Sequence, residues 1–364
     1  MRIKFDGTPE QVELIKALGS TNRVEALEAQ DAFAAFVGPI VEEVLLQAGT
    51  SGMIYEDMKY DEDDSPSIPV DLYYGENEGL IEVWQQTVGG GLPTQQVGGF
   101  REIKVTTYPL DSAISFDKRY VRRARLDVVA RGLERMANEV LTKQERNAWY
   151  VILKALADTA ANVKQATADG TFQVNDINKL FTLLKRINSS YNGGTPVGAE
   201  GRGLTDLFIS PELMEEVRAM SYQPVNTRSG AVTTSGATSI ALPESIRTNL
   251  FNNAGAASIW GVDLHELLEL GIDKKYNVLF GSLAGSTSYD GATFTQASDE
   301  IAIGIDRSRR AFVRPLAQNA EKGGTFTVRP DDQFSTRANR VGFYGGLEEG
   351  RVCLGTRGLI GLIV

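Results

Sequence analysis

Ser115–Ala161 reads SFDKRYVRRARLDVVARGLERMANEVLTKQERNAWYVILKALADTAA, and the rest of the chain is organised around it. The stretch has no proline and one glycine, Gly132, and it is dense in Ala, Leu, Arg, Glu, Lys and Gln, the strongest helix formers. Apolar residues recur at helical spacing: Leu126, Val129, Leu133, Met136 and Val140, then Ala148, Val151, Ile152, Ala155 and Leu156. Ser115 or Asp117 is placed to cap its start, and Asp169-Gly170 to stop it. As one helix it would be about 65–70 Å long at 1.5 Å per residue, wider than a compact domain. It must therefore break near Gly132 or run across the molecule. Its first half carries Lys118, Arg119, Arg122, Arg123, Arg125, Arg131 and Arg135. Cations at a helix N-terminus oppose the macrodipole, so acidic groups from elsewhere are expected to meet them.

Composition narrows the remaining possibilities. The 364 residues suit two domains, and 42 % apolar with 23 % charged residues is an ordinary globular mixture. No apolar run is long enough to span a bilayer and no signal peptide is evident, so synthesis in the cytosol and no membrane partner are expected. One cysteine, Cys353, excludes an internal disulfide, and with one histidine, His265, it excludes the common zinc clusters. A net charge of −10 argues against sequence-specific nucleic-acid binding.

In chain order, residues 1–30 read as weakly structured with a short amphipathic helix at Pro9–Leu18, and Phe33–Gln47 has the pattern of an apolar helix interrupted at Gly38-Pro39. Asp61, Glu62, Asp63 and Asp64 read as a solvated turn. From Ile68 to Tyr108, IPVDLYY and GLIEVWQQTV alternate apolar and polar residues, GGGLPTQQVGG turns, and FREIKVTTYPL returns. A two-stranded ribbon of this kind is marginally stable alone, so another surface, such as a second copy of the chain, must support it. Asn175–Asn188 predicts a second amphipathic helix, capped by Asn175 or Asp176. Tyr191–Gly203 reads as a boundary. LTDLFISPELMEEVRAM is a short buried strand followed by a helix with Pro211 in its first turn. KKYNVLFGS, IAIGIDRSRRAFVRPL and GTFTVRPDDQF read as strands. So do two runs in ANRVGFYGGLEEGRVCLG, before the wholly apolar end Leu359–Val364, which belongs inside a sheet.

Chemistry is sparse. No dinucleotide fingerprint, phosphate loop or HExxH pattern occurs. Cys353 alternates within GRVCLG as a packing cysteine, and His265 in DLHELLEL has no acidic partner placed by any motif. Asp331-Asp332 would make a carboxylate site only together with distant residues. The expectation is a chain that is not an enzyme, with no catalytic residue, no cofactor and no metal.

This order of elements resembles the major capsid proteins of tailed bacteriophages, whose fold is shared with encapsulin compartments. The resemblance covers nearly the whole chain, and LTDLFISPELMEEVRAM, similar to the strand-Ser-Pro-helix that opens the axial domain, is its most specific piece. It implies an α+β fold of the tailed-phage major capsid type. An N-terminal arm would occupy residues 1–45 and the extended β-hairpin loop 68–106. The peripheral domain would take 46–67, 107–195 with the long spine helix, and 318–354. The axial domain would take 196–317 and a closing strand at 355–364. The implied function is a major head protein that self-assembles into hexamers and pentamers, forming an icosahedral shell around phage double-stranded DNA. Implied partners are further copies of itself, a separate scaffolding protein, a portal, a decoration protein and packaged DNA contacted non-specifically. Its place would be the virion, after assembly in the host bacterial cytoplasm. The candidate inter-subunit contacts are Arg122, Arg123 and Arg125 with Glu76, Glu78 and Glu82 on a neighbour's loop. Relatives that weld their subunits use a loop lysine, and the tip GGGLPTQQVGG has none. The competing readings are an encapsulin-like cargo shell, a decoration or tail component, and a two-domain cytosolic enzyme with a cleft near Tyr191–Gly203.

Overall fold

The computed structural model of the protein describes residues 8–20, 22–47, 49–70, 101–123, 126–167, 170–189, 203–219, 248, 258–318, 324–331 and 340–364. The chain divides into two compact units, Met1–Ala148 with Phe312–Val352 and Trp149–Ala311 with Cys353–Val364.

The first unit opens with α1 (Pro9–Leu18), whose N-cap Thr8 accepts from Gln11 N–H and whose first residue is proline. Helix α2 (Arg23–Gln47) follows; it begins within the segment that reads as weakly structured, and the expected interruption at Gly38-Pro39 does not occur. Pro39 removes one backbone donor, but Ala29, Phe33, Val37, Val41 and Leu45 form a continuous buried stripe that holds the helix together. The stripe packs on a strand of its own unit, and Ile15 and Leu18 of α1 join the same core, so this N-terminal segment has a core partner within the chain.

Strands β1 (Glu56–Asp61) and β2 (Ser67–Val70) come next, then β3 (Arg101–Lys104) and β4 (Thr107–Asp117). The acidic run that starts in the last residue of β1 is exposed, as expected of a solvated turn. β2 and β3 pair antiparallel from Ser67↔Lys104 to Val70↔Arg101. The expected hairpin loop between them, residues 71–100, lies outside the described residues. β4 continues to Asp117, so the helical region starts later than Ser115. Asp117 caps α3 (Lys118–Arg122) by accepting from Arg119 N–H at 2.9 Å. The break falls between α3 and α4 (Leu126–Asp158), and Gly132 lies inside an unbroken helix. A Cβ on Gly132 would sit 2.5 Å from the Phe116 ring and 2.8 Å from Ile114, so the glycine is there for close approach.

The second unit takes α4 from Trp149 onward, then β5 (Val163–Gln165) and α5 (Val174–Ser189). Asp176 reaches back from the first turn of α5 to accept from Gln173 N–H at 2.9 Å, a capping box in which the acid is not itself the cap. β6 (Asp206–Ile209) and α6 (Pro211–Ala219) follow with Ser210 between them. Then come β7 (Ser258–Ile259), β8 (Val262–Glu266), α7 (Lys275–Ala284), β9 (Ser288–Tyr289), β10 (Ala292–Thr293) and β11 (Ile301–Ile305). KKYNVLFGS, expected as a strand, is α7: Tyr276, Asn277, Phe280 and Ala284 are its buried residues, a helical rather than alternating set.

β12 (Phe312–Gln318), β13 (Thr327–Asp331) and β14 (Arg340–Gly350) return to the first unit, and β15 (Val352–Cys353) and β16 (Leu359–Ile363) close the chain. β14 is the spine of the first unit's sheet. It pairs with β4 over its whole length, from Arg340↔Asp117 to Gly350↔Thr107, and also with β13 and β12. β1 joins parallel to β12. The core over this sheet holds the α2 stripe with Val129, Leu133, Met136 and Val140 of α4, and Phe33 lies 5.1 Å from Phe343. In the second unit the order is β5-β16-β11-β6-β8-β7. β16 is completely buried there, between an antiparallel β11 and a parallel β5. Trp149 packs on Phe208 and Tyr276 at 5.1 and 5.7 Å.

In an open helix position Gly132→Ala would stabilise by about 1 kcal/mol. Here the clash with Phe116 should reverse the sign, giving a loss of about 1–3 kcal/mol in urea unfolding. Adding Phe116→Leu should recover much of it. A stabilised Gly132→Ala would show that α4 does not lie this close to β4.

Candidate functional site

Polar chemistry in the first unit gathers at the end of β14. Glu349 has no solvent exposure. It accepts from Gln144 Nε2 of α4 at 3.0 Å, from Tyr108 Oη of β4 at 3.2 Å, and from Arg351 Nε and Nη2 at 3.4 and 3.3 Å. The Arg351 guanidinium lies 4.8 Å from the centre of the Tyr55 ring, a cation–π contact, and Tyr55 Oη donates to Ala148 O at 2.9 Å. Burial and then the adjacent Glu349 carboxylate push the Tyr108 hydroxyl up to about 12, so it stays a donor across the physiological range. Closer to β1, Arg314 grips Asp57, its partner across the β1–β12 pair, through Nε and Nη2 at 2.6 Å each. Glu145 of α4 holds the turn before β1, accepting from Thr50 Oγ1 and from Ser51 N–H and Oγ. These groups are held mainly by one another, and Asp57 is the most exposed of them. Their arrangement fixes strands and helices.

In the second unit, His265 is a strand residue on β8, and it does have an acidic partner. Asp206 of β6, the parallel neighbour, lies 2.8 Å from His265 Nε2, and the imidazole stacks on Phe208 at 5.0 Å. Burial raises the Asp206 carboxyl, but the bonds from His265 and Thr205 and the charge of Arg307 outweigh it and hold the group below 3.8. The signal was present in the sequence as an aspartate opening the otherwise apolar strand DLFI; pairing it with a histidine dozens of residues later needed the β6–β8 register. Glu300, just before β11, is buried and accepts from Ser210 Oγ at 2.5 Å, while the same oxygen caps α6 by accepting from Leu213 N–H. Burial and the nearby Glu212 raise the Glu300 carboxyl. Cys353 is half-buried and hydrogen-bonded to Gly355 O, and burial pushes its thiol up to about 11, which leaves it a poor nucleophile. Among the described residues, no group of three or more His, Cys, Asp and Glu is placed to hold a metal ion, and no helix is long and apolar enough to cross a membrane.

Of the candidate contact residues, Arg122 and Arg123 are exposed at the end of α3. Arg122 stands in a last helical turn, where the dipole favours a cation, and not at the first turn of a long helix as the sequence predicts. Its Nε donates to Gly19 O at 2.8 Å, fastening α3 to the C-terminal end of α1. Arg125, Glu76, Glu78 and Glu82 lie outside the described residues, as do Asp332 and most of Tyr191–Gly203.

No family model matches the chain, and no curated protein matches it. Solved structures do. The capsid asymmetric unit of cyanophage Pam1 superposes with a TM-score of 0.51 at 13 % identity, over 85 % of this chain and 88 % of that one. Microbacterium phage Oxtober96 gives 0.50 at 11 % identity, over 87 % and 91 %. The capsid of an empty GTA particle gives 0.50 at 12 % identity, over 87 % and 90 %. Such identities speak for the fold: the chain has the α+β major capsid fold of tailed phages.

Glu300 supplies a test of the second unit's electrostatics. Its folded carboxyl is raised above 4.5, so its contribution to stability is present below that value and is lost as pH rises through the folded one. Gln at this position does not titrate. Relative to wild type, Glu300→Gln should therefore gain in urea midpoint as pH is taken from about 4 to 7, whatever fixed offset the amide brings. A difference that stays flat across this range would show that Glu300 is not strained by burial.

Proposed function

We propose that the chain is the major capsid protein of a tailed phage, assembling through copies of itself into hexamers and pentamers of an icosahedral head. The observation that carries this is the fold likeness to phage capsid structures, which spans more than four fifths of both chains in each comparison above. On this reading β2 and β3 are the root of the extended loop, which continues through residues 71–100 and lies over a neighbouring subunit. The sheet containing β6, β11 and β16 belongs to the axial domain, and α4 is the spine helix of the peripheral domain. The role is structural, and double-stranded DNA is the enclosed cargo, met without sequence preference. A net charge of −10 suits an inner wall that leaves packaged DNA free to move. A separate scaffolding protein, a portal and a decoration protein complete the proposed set of partners, and the virion is the proposed location.

Deleting Gly79–Phe100 should leave a subunit that folds, with the helical circular dichroism of the full chain, yet makes no stable shells in sedimentation. Normal particles from this deletion would contradict the proposed role of the loop.

For the contact residues, the proposed pairing joins the α3–α4 arginines to Glu76, Glu78 or Glu82 of a neighbour. Because Arg122 also holds Gly19, Arg123 is the cleaner partner for a swap. Glu78→Arg should impair assembly, and Arg123→Glu in the same chain should partly restore it, with the other two glutamates tried in turn. If no combination shows coupling, and loss of the arginines instead lowers the DNA content of normal shells, the residues face the cargo.

A further inference from the structure

Polar groups of the first unit form two sets that converge on one cavity. On one side, Asp57 holds Arg314, and Glu42 of α2 accepts from Thr325 N–H and Oγ1 at 2.9 and 2.7 Å. On the other, Gln144 of α4 donates through Nε2 to Glu349, which Tyr108 and Arg351 also hold. Glu42, Gln144, Arg314 and Thr325 share the lining of a cavity that has about 10 Å³ of room for the centre of a water molecule, and apolar side chains such as Leu45 and Leu316 make up the rest of its wall. Gln144 is 2 % exposed, and its Oε1 is buried with no partner among the described residues.

We propose that this cavity is a binding site for a single water molecule, which donates to Gln144 Oε1 and to the Glu42 carboxylate and accepts from Arg314. The orientation of the Gln144 amide supports this. Its other end faces Glu349, whose oxygens only accept there, so turning the amide over would set oxygen against oxygen and strand the nitrogen instead. Charge selects the occupant. A cation would suit the oxygens of Glu42 and Gln144 but would meet the Arg314 guanidinium, and an anion would meet Glu42. A neutral molecule that both donates and accepts satisfies all of them. The room is on the order of one water-sized sphere, about 10–15 Å³, and two to four polar partners are what a buried water requires. Bound there, the water joins α2, α4 and β12, so that the polar network runs without a gap from Asp57 to Tyr108.

A structure of the full chain at a resolution that shows ordered solvent should contain one peak within about 3.2 Å of Gln144 Oε1 and of a Glu42 oxygen. A cavity without density overturns the proposal. So does a peak at about 2.3–2.6 Å from these oxygens, the spacing of a bound metal cation. As a second measurement, oxygen-17 magnetic relaxation dispersion counts long-lived internal waters. Gln144→Leu should lose one such water relative to wild type, and an unchanged count would also overturn the assignment.

Discussion

The first unit depends on one close approach. At Gly132 the backbone of α4 comes so near to β4 that the Phe116 ring and the Ile114 side chain occupy the place of a Cβ. A glycine in a helix interior costs about 1 kcal/mol relative to alanine, and here the cost is offset by contact between helix backbone and aromatic ring. The same device recurs one strand away, where a Cβ on Gly345 of β14 would meet the Phe326 ring at 2.6 Å and Met136 of α4 at 3.4 Å. With α4 seated, Phe343 is left between Phe116 and Phe33, and the stripe of α2 closes over the remaining face. The position of the N-terminal helices thus follows from how closely the long helix meets its sheet.

Charge inside the fold follows a second constraint. Glu349 and Arg351 are both withdrawn from solvent, and removing one of such a pair typically costs about 3–5 kcal/mol because it strands the other. Replacing both with apolar groups of similar size is often neutral. The pair therefore contributes more to where β14 sits against α4 and β4 than to net stability. In the second unit burial raises the carboxyls of both Asp206 and Glu300, and their neighbours decide the net direction. Asp206 has a histidine, a threonine and an arginine around it and is held low; Glu300 has one hydroxyl and acidic neighbours and is pushed high.

Much of this architecture was legible in the sequence, for identifiable reasons. The α5 and α6 patterns, the strand-Ser-Pro-helix and the apolar C-terminal strand each carry strong local signals, and local signals are what a sequence displays. Misreadings arose where tertiary contact overrode local preference. Gly38-Pro39 signals an interruption, yet the buried stripe of α2 carries the helix through it. Ser115 looks like a helix cap, yet pairing with Gly342 keeps it in β4. KKYNVLFGS is dense enough in apolar residues to pass for a strand, and only its burial pattern reveals α7. The candidate site was less readable. The arginine cluster was visible, but the bond from Arg122 to Gly19 joins residues about a hundred positions apart, and so does the pairing of Gln144 with Glu349 at twice that separation. Neither contact has a sequence signature, because each is set by the packing of whole elements.

The claim that this fold serves as a shell subunit is tested most directly by electron microscopy of the expressed full chain, alone and together with a candidate scaffolding protein. The account predicts closed icosahedral particles, with hexamers and pentamers of this chain resolved in their walls and the 71–100 segment of each subunit lying over a neighbour. A chain that stays monomeric and monodisperse under both conditions, with no particles of any size, would contradict it.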